Sequence, residues 1–313
     1  MKTNNSICCL LTNYNHQKYI RKIINNIFNQ TVPFDEVIIV DDGSSDNSLK
    51  EFLKYRKKFK FILQKNHINR GINFSFNKAL KIVKSKYIFS IAMDDNYSNR
   101  TVENFKKILK KNNSFNPKIV VGDAEGKYQN GEKIYQNLNI KSFLALDKKD
   151  FFFFYKKRPF TIFGGNTILN TKEVKKFGGY KAKLLWHSDW MLYLLIALKN
   201  GIILFNKKIV NRNIRSDSYS SNMNSIQKEK AIIKSFLKIL TQNHYSIYLK
   251  FKKLSILPNY NFFLFLSLLN DKKFRAYITY GLIKKIFFYS LNDLIGGLFT
   301  TKFKKIIKSK FKI

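Results

Sequence analysis

Glu36-Val37-Ile38-Ile39-Val40-Asp41-Asp42-Gly43-Ser44-Ser45-Asp46 is the stretch that decides how this chain folds. Val37 to Val40 is a short, β-branched apolar run, the pattern of a strand buried on both faces. It ends in two carboxylates and a glycine, which lets the backbone turn. Ser45 to Tyr55 then reads as a helix with Asp46 in its first turn, where the helix dipole favours a carboxylate. A strand that ends in polar residues and passes straight into a helix is half of a β-α-β unit.

The same unit recurs on either side. Ile7 to Leu11 reads as a strand, and Gln17 to Asn29 as a helix spaced through Ile20, Ile23, Ile24, Ile27 and Phe28. Phe59 to Leu63 is a third strand. Asn73 to Val83 is helical, with Phe76, Ala79, Leu80 and Val83 on one face. Tyr87 to Ala92 is a fourth strand ending in Met93-Asp94-Asp95-Asn96, followed by a helix over Thr101 to Leu109 and a fifth strand over Ile119 to Val121. Such alternation implies a mostly parallel sheet with helices on both faces. Thr12-Asn13-Tyr14-Asn15, Asp41-Asp42-Gly43-Ser44 and Asp94-Asp95 all fall at C-terminal strand ends. Open α/β sheets bind ligands at that edge, so three segments are expected to share one crevice.

From about residue 125 to 222 the pattern loosens. Gly164-Gly165-Asn166 and Gly178-Gly179 mark turns, and Trp190 to Leu198 reads as an apolar helix directly after Asp189. Beyond about Ser225 the chain becomes lysine-rich and helical without strand signals. Lys302 to Ile313 carries no acid, and Phe303, Ile306, Ile307 and Phe311 share a helical face. Two readings fit: a basic amphipathic helix lying on an anionic membrane, or a solvated helix packing its apolar stripe on the domain. Phe262 to Leu269 and Ile283 to Tyr289 add apolar helix beside lysines, which favours the membrane reading.

Composition narrows the function classes. The 313 residues are 45% hydrophobic and 16% aromatic, enough to fill a core, which excludes a disordered chain. The net charge of +38 attracts polyanions, although enrichment in Lys, Asn, Ile and Phe is also what an AT-rich genome produces. The lysines are dispersed and no nucleic-acid motif accompanies them, which argues against a nucleic-acid partner. Cys8 and Cys9 are neighbours on a strand and point to opposite faces, so they are expected as reduced, partly buried thiols of a cytosolic protein. No Cys/His group has zinc spacing. The first residues lack the length and cleavage site of a signal peptide, and no run of about 18 apolar residues is available to span a bilayer.

Asp94-Asp95 ends a buried strand with two carboxylates that repel each other unless a cation bridges them. Oxygen ligands of this kind suit Mg²⁺ or Mn²⁺, while a helix N-cap is the plainer reading. One carboxylate of Asp41-Asp42-Gly43-Ser44 is able to accept from a base N–H or a ribose hydroxyl; a simple β-to-α turn is the alternative. Asp189 in Trp186-His187-Ser188-Asp189-Trp190 is flanked by aromatics that raise a carboxyl and make it a better base, or it is an N-cap. His187 is a weaker candidate ligand or base.

Taken together, Asn13-Tyr14-Asn15, Asn29-Gln30-Thr31, Glu36 through Asp46, Asn69-Arg70-Gly71 leading to Asn77-Lys78-Ala79, and Lys86-Tyr87-Ile88 leading to Asp94-Asp95-Asn96 resemble the opening of family 2 glycosyltransferases. Gly164-Gly165-Asn166 and Trp186 to Trp190 resemble that family's acceptor half. The resemblance covers about residues 5 to 222. It implies a GT-A fold over residues 1–224, with a nucleotide-binding half (1–98), an acceptor half (99–224) and a basic helical extension (225–313) outside it. It also implies a nucleotide-diphosphate sugar donor, commonly UDP-linked, a divalent metal and an inverting displacement. By position, Thr12 and Tyr14 would line the nucleobase pocket and Asp41 would hold the base. Arg70 would lie near the nucleotide. Asp94 would touch the ribose or the metal, Asp95 would coordinate the metal, and Asp189 would deprotonate the acceptor hydroxyl.

The chain departs from the family pattern at several positions. Thr12-Asn13 stands where Pro-Thr usually precedes Tyr-Asn. Ala92 stands where a further Asp often opens the metal motif, Ser188-Asp189 replaces Glu-Asp, and Arg215 occupies the place of a metal-assisting His. An arginine there is suited to pair with the diphosphate instead. The expectation is an inverting, metal-dependent transferase at the cytoplasmic membrane face, acting on a glycan or lipid-linked acceptor in surface-glycan synthesis. An inactive or scaffolding relative and a basic nucleic-acid-binding protein are the competing readings.

Overall fold

The computed structural model describes residues 5–128, 131, 133–136, 138, 140–215 and 225–298, so the expected basic helix at 302–313 lies outside the described residues. The chain divides into two compact units, Met1–Asn222 and Met223–Ile313.

The N-terminal unit follows the alternation of its first hundred residues. It runs β1 (Ile7–Asn13), α1 (Ile20–Phe28), β2 (Glu36–Asp41), α2 (Ser48–Arg56), β3 (Ile62–Lys65), α3 (Ile72–Ile82), β4 (Tyr87–Ile91), the two-residue β5 (Asn96–Tyr97) and α4 (Thr101–Lys111). Then come β6 (Ile119–Tyr128), β7 (Lys133–Gln136), β8 (Phe143–Leu146), α5 (Lys148–Lys157), β9 (Thr167–Asn170), α6 (Thr171–Lys176), α7 (Ser188–Asn200) and β10 (Ile202–Ile214). Among the described residues the sheet order is β3-β2-β1-β4-β9-β6-β10-β5, with β7 beside β6 and β8 beside β10.

The parallel run holds from β3 to β4 and ends there. β9 enters antiparallel to both β4 and β6, after which β6 and β10 pair parallel again. The result is a mixed α/β sheet of the GT-A kind, with two parallel parts, β3-β2-β1-β4 and β6-β10, joined through antiparallel β9. Ile23, Ile24 and Ile27 of α1 seat on Cys9, Leu11 and Ile39, all essentially inaccessible. Each such side chain contributes roughly 1.5–3 kcal/mol of burial. Phe89 of β4, Phe105 of α4 and Phe205 of β10 pack ring to ring at 5.5 and 5.4 Å, joining the two halves of the sheet. Both cysteines are unbridged and buried, and burial pushes their thiols up.

Three elements differ from expectation. The third strand forms at Ile62–Lys65 instead of Phe59 to Leu63, because Phe59 and Phe61 turn onto Phe28, with centroids 4.4 and 6.1 Å away. β6 continues seven residues past Val121 through a polar, glycine-containing stretch paired to β7 and β10. β10 was not among the expected strands: after the apolar run Ile202 to Phe205, Asn206-Lys207-Lys208 breaks the pattern, and the register shifts on either side of Lys208.

The C-terminal unit contains α8 (Ile226–Asn243), α9 (Tyr245–Lys253), α10 (Phe262–Leu268), α11 (Lys272–Tyr277) and α12 (Tyr280–Leu298). Phe236 meets Phe251 and Tyr277 at 5.5 and 6.4 Å, and Tyr248 meets Tyr277 at 5.6 Å. Among the described residues no helix is long and apolar enough to cross a membrane.

Candidate active site

Register brings the polar strand ends together. Asn13 pairs with Asp41 across β1 and β2, and Leu11 of β1 pairs with Ile91, the last residue of β4. The segments bearing Thr12 to Asn15, Asp41 to Ser44, and Asp94-Asp95 therefore leave one edge of the sheet side by side.

Asp41 is fully buried, and its carboxylate serves its own loop. Oδ1 accepts from Asn13 Nδ2 at 2.8 Å and Ser44 Oγ at 2.6 Å, and Oδ2 accepts from the Ser44 N–H at 3.2 Å. Asp42 accepts from Asn66 Nδ2 at 2.7 Å and from the Arg70 N–H at 3.0 Å. Gly43 joins the two carboxylates to the helix at φ 72°, where a Cβ would lie 2.5 Å from the Ile68 carbonyl carbon. Only glycine satisfies both the left-handed backbone and that approach. Thr12 is partly exposed, Tyr14 stands 43% exposed at the rim, and the Arg70 guanidinium lies 4.1 Å over Phe74.

Asp94 and Asp95 face a wall supplied by β10. The Asn213 N–H donates to Asp95 Oδ1 at 2.9 Å, and Asn213 Nδ2 donates to the Asp94 carbonyl. Arg215 Nε lies 3.5 Å from Asp94 Oδ2, and its Nη1 donates to the Tyr19 hydroxyl. Lys22 Nζ donates to the Asp94 carbonyl at 3.0 Å. Burial pushes the Asp95 carboxyl up to about 6; the Asn213 N–H opposes this and the Asp94 charge adds to it. The same desolvation lowers Lys22, against the pull of Asp95 and Asp94. His16 is lowered by burial too, with Asp94 opposing and Arg215 assisting, which ties the Tyr14 loop to the carboxylate pair.

Whether these residues suit a divalent cation follows from the donor set. Asp95 uses Oδ1 for Asn213 and Asp94 sets Oδ2 against Arg215, so one oxygen of each carboxylate stands outside those contacts. Among the described residues no cluster of three or more His, Cys, Asp or Glu side chains is present. Two carboxylates, with the remaining positions left to water and ligand phosphate, are the arrangement Mg²⁺ commonly takes. A cation would offset the burial of the Asp95 carboxylate and the smaller repulsion from Asp94, so the pair fits one.

Asp189 lies inside the first turn of α7, one residue past the helix start, and its Oδ1 accepts from the Trp190 N–H at 2.7 Å. Burial raises its carboxyl, with the Trp190 N–H, His187 and Arg212 pulling it back. A Cβ on Gly164 would lie 3.8 Å from Asp189 Oδ2, and one on Gly165 would lie 3.1 Å from the Tyr97 hydroxyl, which accepts from the Ala92 N–H. The glycine pair thus runs between Asp189 and the turn that carries Asp94-Asp95. Its lack of side chains lets the backbone pack closely there, since a Cβ on Gly164 would also lie 3.1 Å from the Tyr193 hydroxyl.

The approach to Asp189 is strained. Leu185 has φ 46° and ψ −121°, a region costing a non-glycine residue roughly 1–3 kcal/mol. Asn73 Nδ2 of α3 donates to the Leu185 carbonyl at 2.8 Å, and Asn77 clamps Tyr180 through both its N–H and its carbonyl at 2.9 and 2.7 Å. The segment leading to Asp189 is therefore fixed by the helix that follows β3.

Sequence reasoning missed Arg212 and Asn213. Arg212 stacks over Phe163 at 4.0 Å, and its charge pulls down both the Asp95 and the Asp189 carboxyls. No local pattern marks them: Asn211-Arg212-Asn213 is polar throughout, and only the register of β10 against β5 and β6 brings it to the carboxylates. Asp94 meets Arg215, and Asp95 meets Asn213 two residues before it. Asp189 joins them through Arg212 and the glycine pair. Thr12, Tyr14, Asp41 and Arg70 occupy the adjoining strand ends.

The chain was compared with known proteins. The family described as Glycosyl transferase family 2 matches residues 8–176. An uncharacterized glycosyltransferase of Rickettsia bellii is 29% identical over 233 residues, covering 73% of this chain and 33% of that protein. The poly(ribitol-phosphate) beta-N-acetylglucosaminyltransferase TarP of Staphylococcus aureus is 29% identical over 156 residues, 47% of this chain and 46% of TarP. The chain thus spans a third of the first relative and under half of the second. The crystal structure of S. aureus TarS 1-349 in complex with UDP superposes with a TM-score of 0.58 at 15% identity, covering 93% of this chain and 92% of that one. The mixed sheet, the strand-end carboxylates and the match over more than half of the residues agree: the chain belongs to family 2 of the glycosyltransferases.

Proposed function

We propose that the chain moves a sugar from a nucleotide-diphosphate sugar, with UDP the favoured nucleotide, to an acceptor hydroxyl with inversion at the anomeric carbon. The observation that carries this reading is that two carboxylate sets from distant segments share one charge of β10. Arg215 stands beside Asp94, and Arg212 acts on both Asp95 and Asp189. An inverting displacement needs the leaving group and the attacking hydroxyl served by different segments, as Asp95 and Asp189 are, because the leaving group departs on the face opposite the attacking oxygen.

The residues divide the work. Thr12 and Tyr14 line the nucleobase pocket, Asp41 fixes their loop through Asn13 and Ser44, and Arg70 flanks the nucleotide. Asp95 and Asp94 would hold Mg²⁺ or Mn²⁺, which when bound neutralises charge on the diphosphate leaving group. Arg215 exchanges Asp94 for a phosphate oxygen and pairs with the diphosphate. Asp189 accepts the acceptor's proton, helped by the burial that raises its carboxyl.

A surface glycan is the proposed acceptor class, lipid-linked or held near the cytoplasmic face of an anionic membrane that the C-terminal unit contacts. Support comes from TarP, whose acceptor is a poly(ribitol-phosphate), and from the charge of residues 225–313, with eighteen Lys and Arg against three acids. The test is a thermal-shift and transfer assay with nucleotide-sugars, with and without Mn²⁺ or Mg²⁺. The native state should be stabilised by a nucleotide-sugar. Asp95→Ala and Asp189→Asn should each abolish transfer, and Asp189→Asn should still bind nucleotide. Full activity in either variant sinks that residue's role, and no shift with any nucleotide sinks the donor.

A further inference from the structure

Unit 223–313 keeps a set of large apolar side chains in water. On α12, Tyr280, Ile283, Phe287 and Leu291 fall in one row at helical spacing, while Leu282 and Ile286 point inward and are buried. Tyr280 is 83% exposed and Phe287 66%. On α10, which packs against α12, Leu264 and Leu268 are buried, whereas Phe262, Phe263 and Leu266 are exposed, Phe263 to 69%. Rows of this kind are not the scattered single apolar residues of an ordinary surface.

A basic groove of about 620 Å³ borders α10. Lys230, Lys234 and Lys238 line one side at successive turns of α8, and Lys272 and Lys273 line another, with Ser267 of α10 between them. The acid at this groove, Asp271, is already engaged: it lies 3.4 Å from Lys234 and caps α11 through the Lys273 and Phe274 N–H groups. Ser267 lines the groove one residue from exposed Leu266, so the lysine groove and the exposed apolar residues share one short helix.

We propose that this unit docks on an anionic phospholipid bilayer, seating the outer rows of α10 and α12 among the acyl chains and the lysine groove on the headgroup phosphates. Phenylalanine, isoleucine and leucine gain from acyl chains, while lysine stems reach outward to phosphate. A second copy would bring the same lysines against these and be repelled. A nucleic-acid strand would stack on the rings but leave Ile283, Leu266 and Leu291 without a partner. The proposal gives a surface to the membrane contact proposed above and does not depend on the sugar-transfer reading.

The test is vesicle flotation of the full chain with phosphatidylcholine alone and with phosphatidylcholine–phosphatidylglycerol mixtures. The wild type should float with the mixed vesicles and not with the neutral ones. Combining Phe263→Ser, Tyr280→Ser and Phe287→Ser should lower partitioning by about tenfold or more, and Lys230→Gln, Lys234→Gln and Lys238→Gln together should remove the preference for the anionic lipid. Circular dichroism melts check that the variants, changed at surface positions, remain folded. Three results overturn the proposal: wild type that stays below the mixed vesicles, a serine variant that floats like wild type, or a wild-type dimer in sedimentation velocity that the serine variant dissolves. Transfer to a soluble acceptor, measured on the same samples, reads the catalytic proposal separately.

Discussion

Strands β1, β2 and β4 reach the crevice by local rules, whereas β10 reaches it by pairing. In the first group each strand is a short apolar run, each turn is cut by Asp, Asn or Gly, and each helix shows its apolar stripe. Asp41 is bonded mainly within its own loop, to Ser44 three residues on and to Asn13 on the adjacent strand. β10 is thirteen residues long, polar over its second half, and held by β6, β8 and β5. Its residues touch groups more than a hundred positions away, as Asn213 touches Asp95. The geometry around Asp41 is therefore encoded nearby in the chain, while the wall between Asp94-Asp95 and Asp189 depends on the completed sheet.

The largest expected effect lies where the two regions meet. Asp189→Asn should lower kcat by about 10²–10⁴-fold with nucleotide affinity retained, as measured by steady-state kinetics and calorimetry. Because burial raises this carboxyl, the acid limb of the wild-type kcat profile should sit above the ordinary carboxylate range. A raised folded-state carboxyl costs stability above that range and recovers it as pH falls through the raised value. The asparagine variant should therefore melt at a higher temperature than wild type near neutral pH. A lower melting temperature would show that Asp189 holds the fold instead of serving the chemistry.

Next in size is Gly43→Ala on the locally encoded side, which should cost about 3 kcal/mol in denaturant titration, from strain and the clash with Ile68. Arg212→Gln tests the paired side. It should weaken turnover more than folding, by roughly tenfold or more, and shift the acid limb upward, because Arg212 pulls the Asp189 carboxyl down. Equal losses of stability and turnover would erase the distinction between the regions. Smallest is Asn73→Ala, which removes one hydrogen bond to a strained carbonyl and should cost about 1 kcal/mol of stability, with a measurable fall in kcat.

Residues 7–111 could be read almost element by element because their burial is written in period two or period 3.6. The slip at β3 arose where aromatic residues packed sideways onto α1 instead of extending the strand. Asp94, Asp95 and Asp189 were legible as candidates, since carboxylates at strand ends and among aromatics need a reason to be there. Arg212 and Asn213 were not, because their value comes from the register of β10 against β5 and β6, which no local pattern records. The antiparallel entry of β9 was hidden for the same reason: four buried residues carry no mark of direction.

The two amide ties from α3, Asn73 to Leu185 and Asn77 to Tyr180, have a consequence for recombination. They join segments more than a hundred residues apart. A hybrid of two relatives joined after residue 98 would inherit a helix from one parent and the turn before Asp189 from another, with amides and carbonyls never fitted to each other. In such a hybrid, residues 73–80 and 177–190 should travel as one cassette.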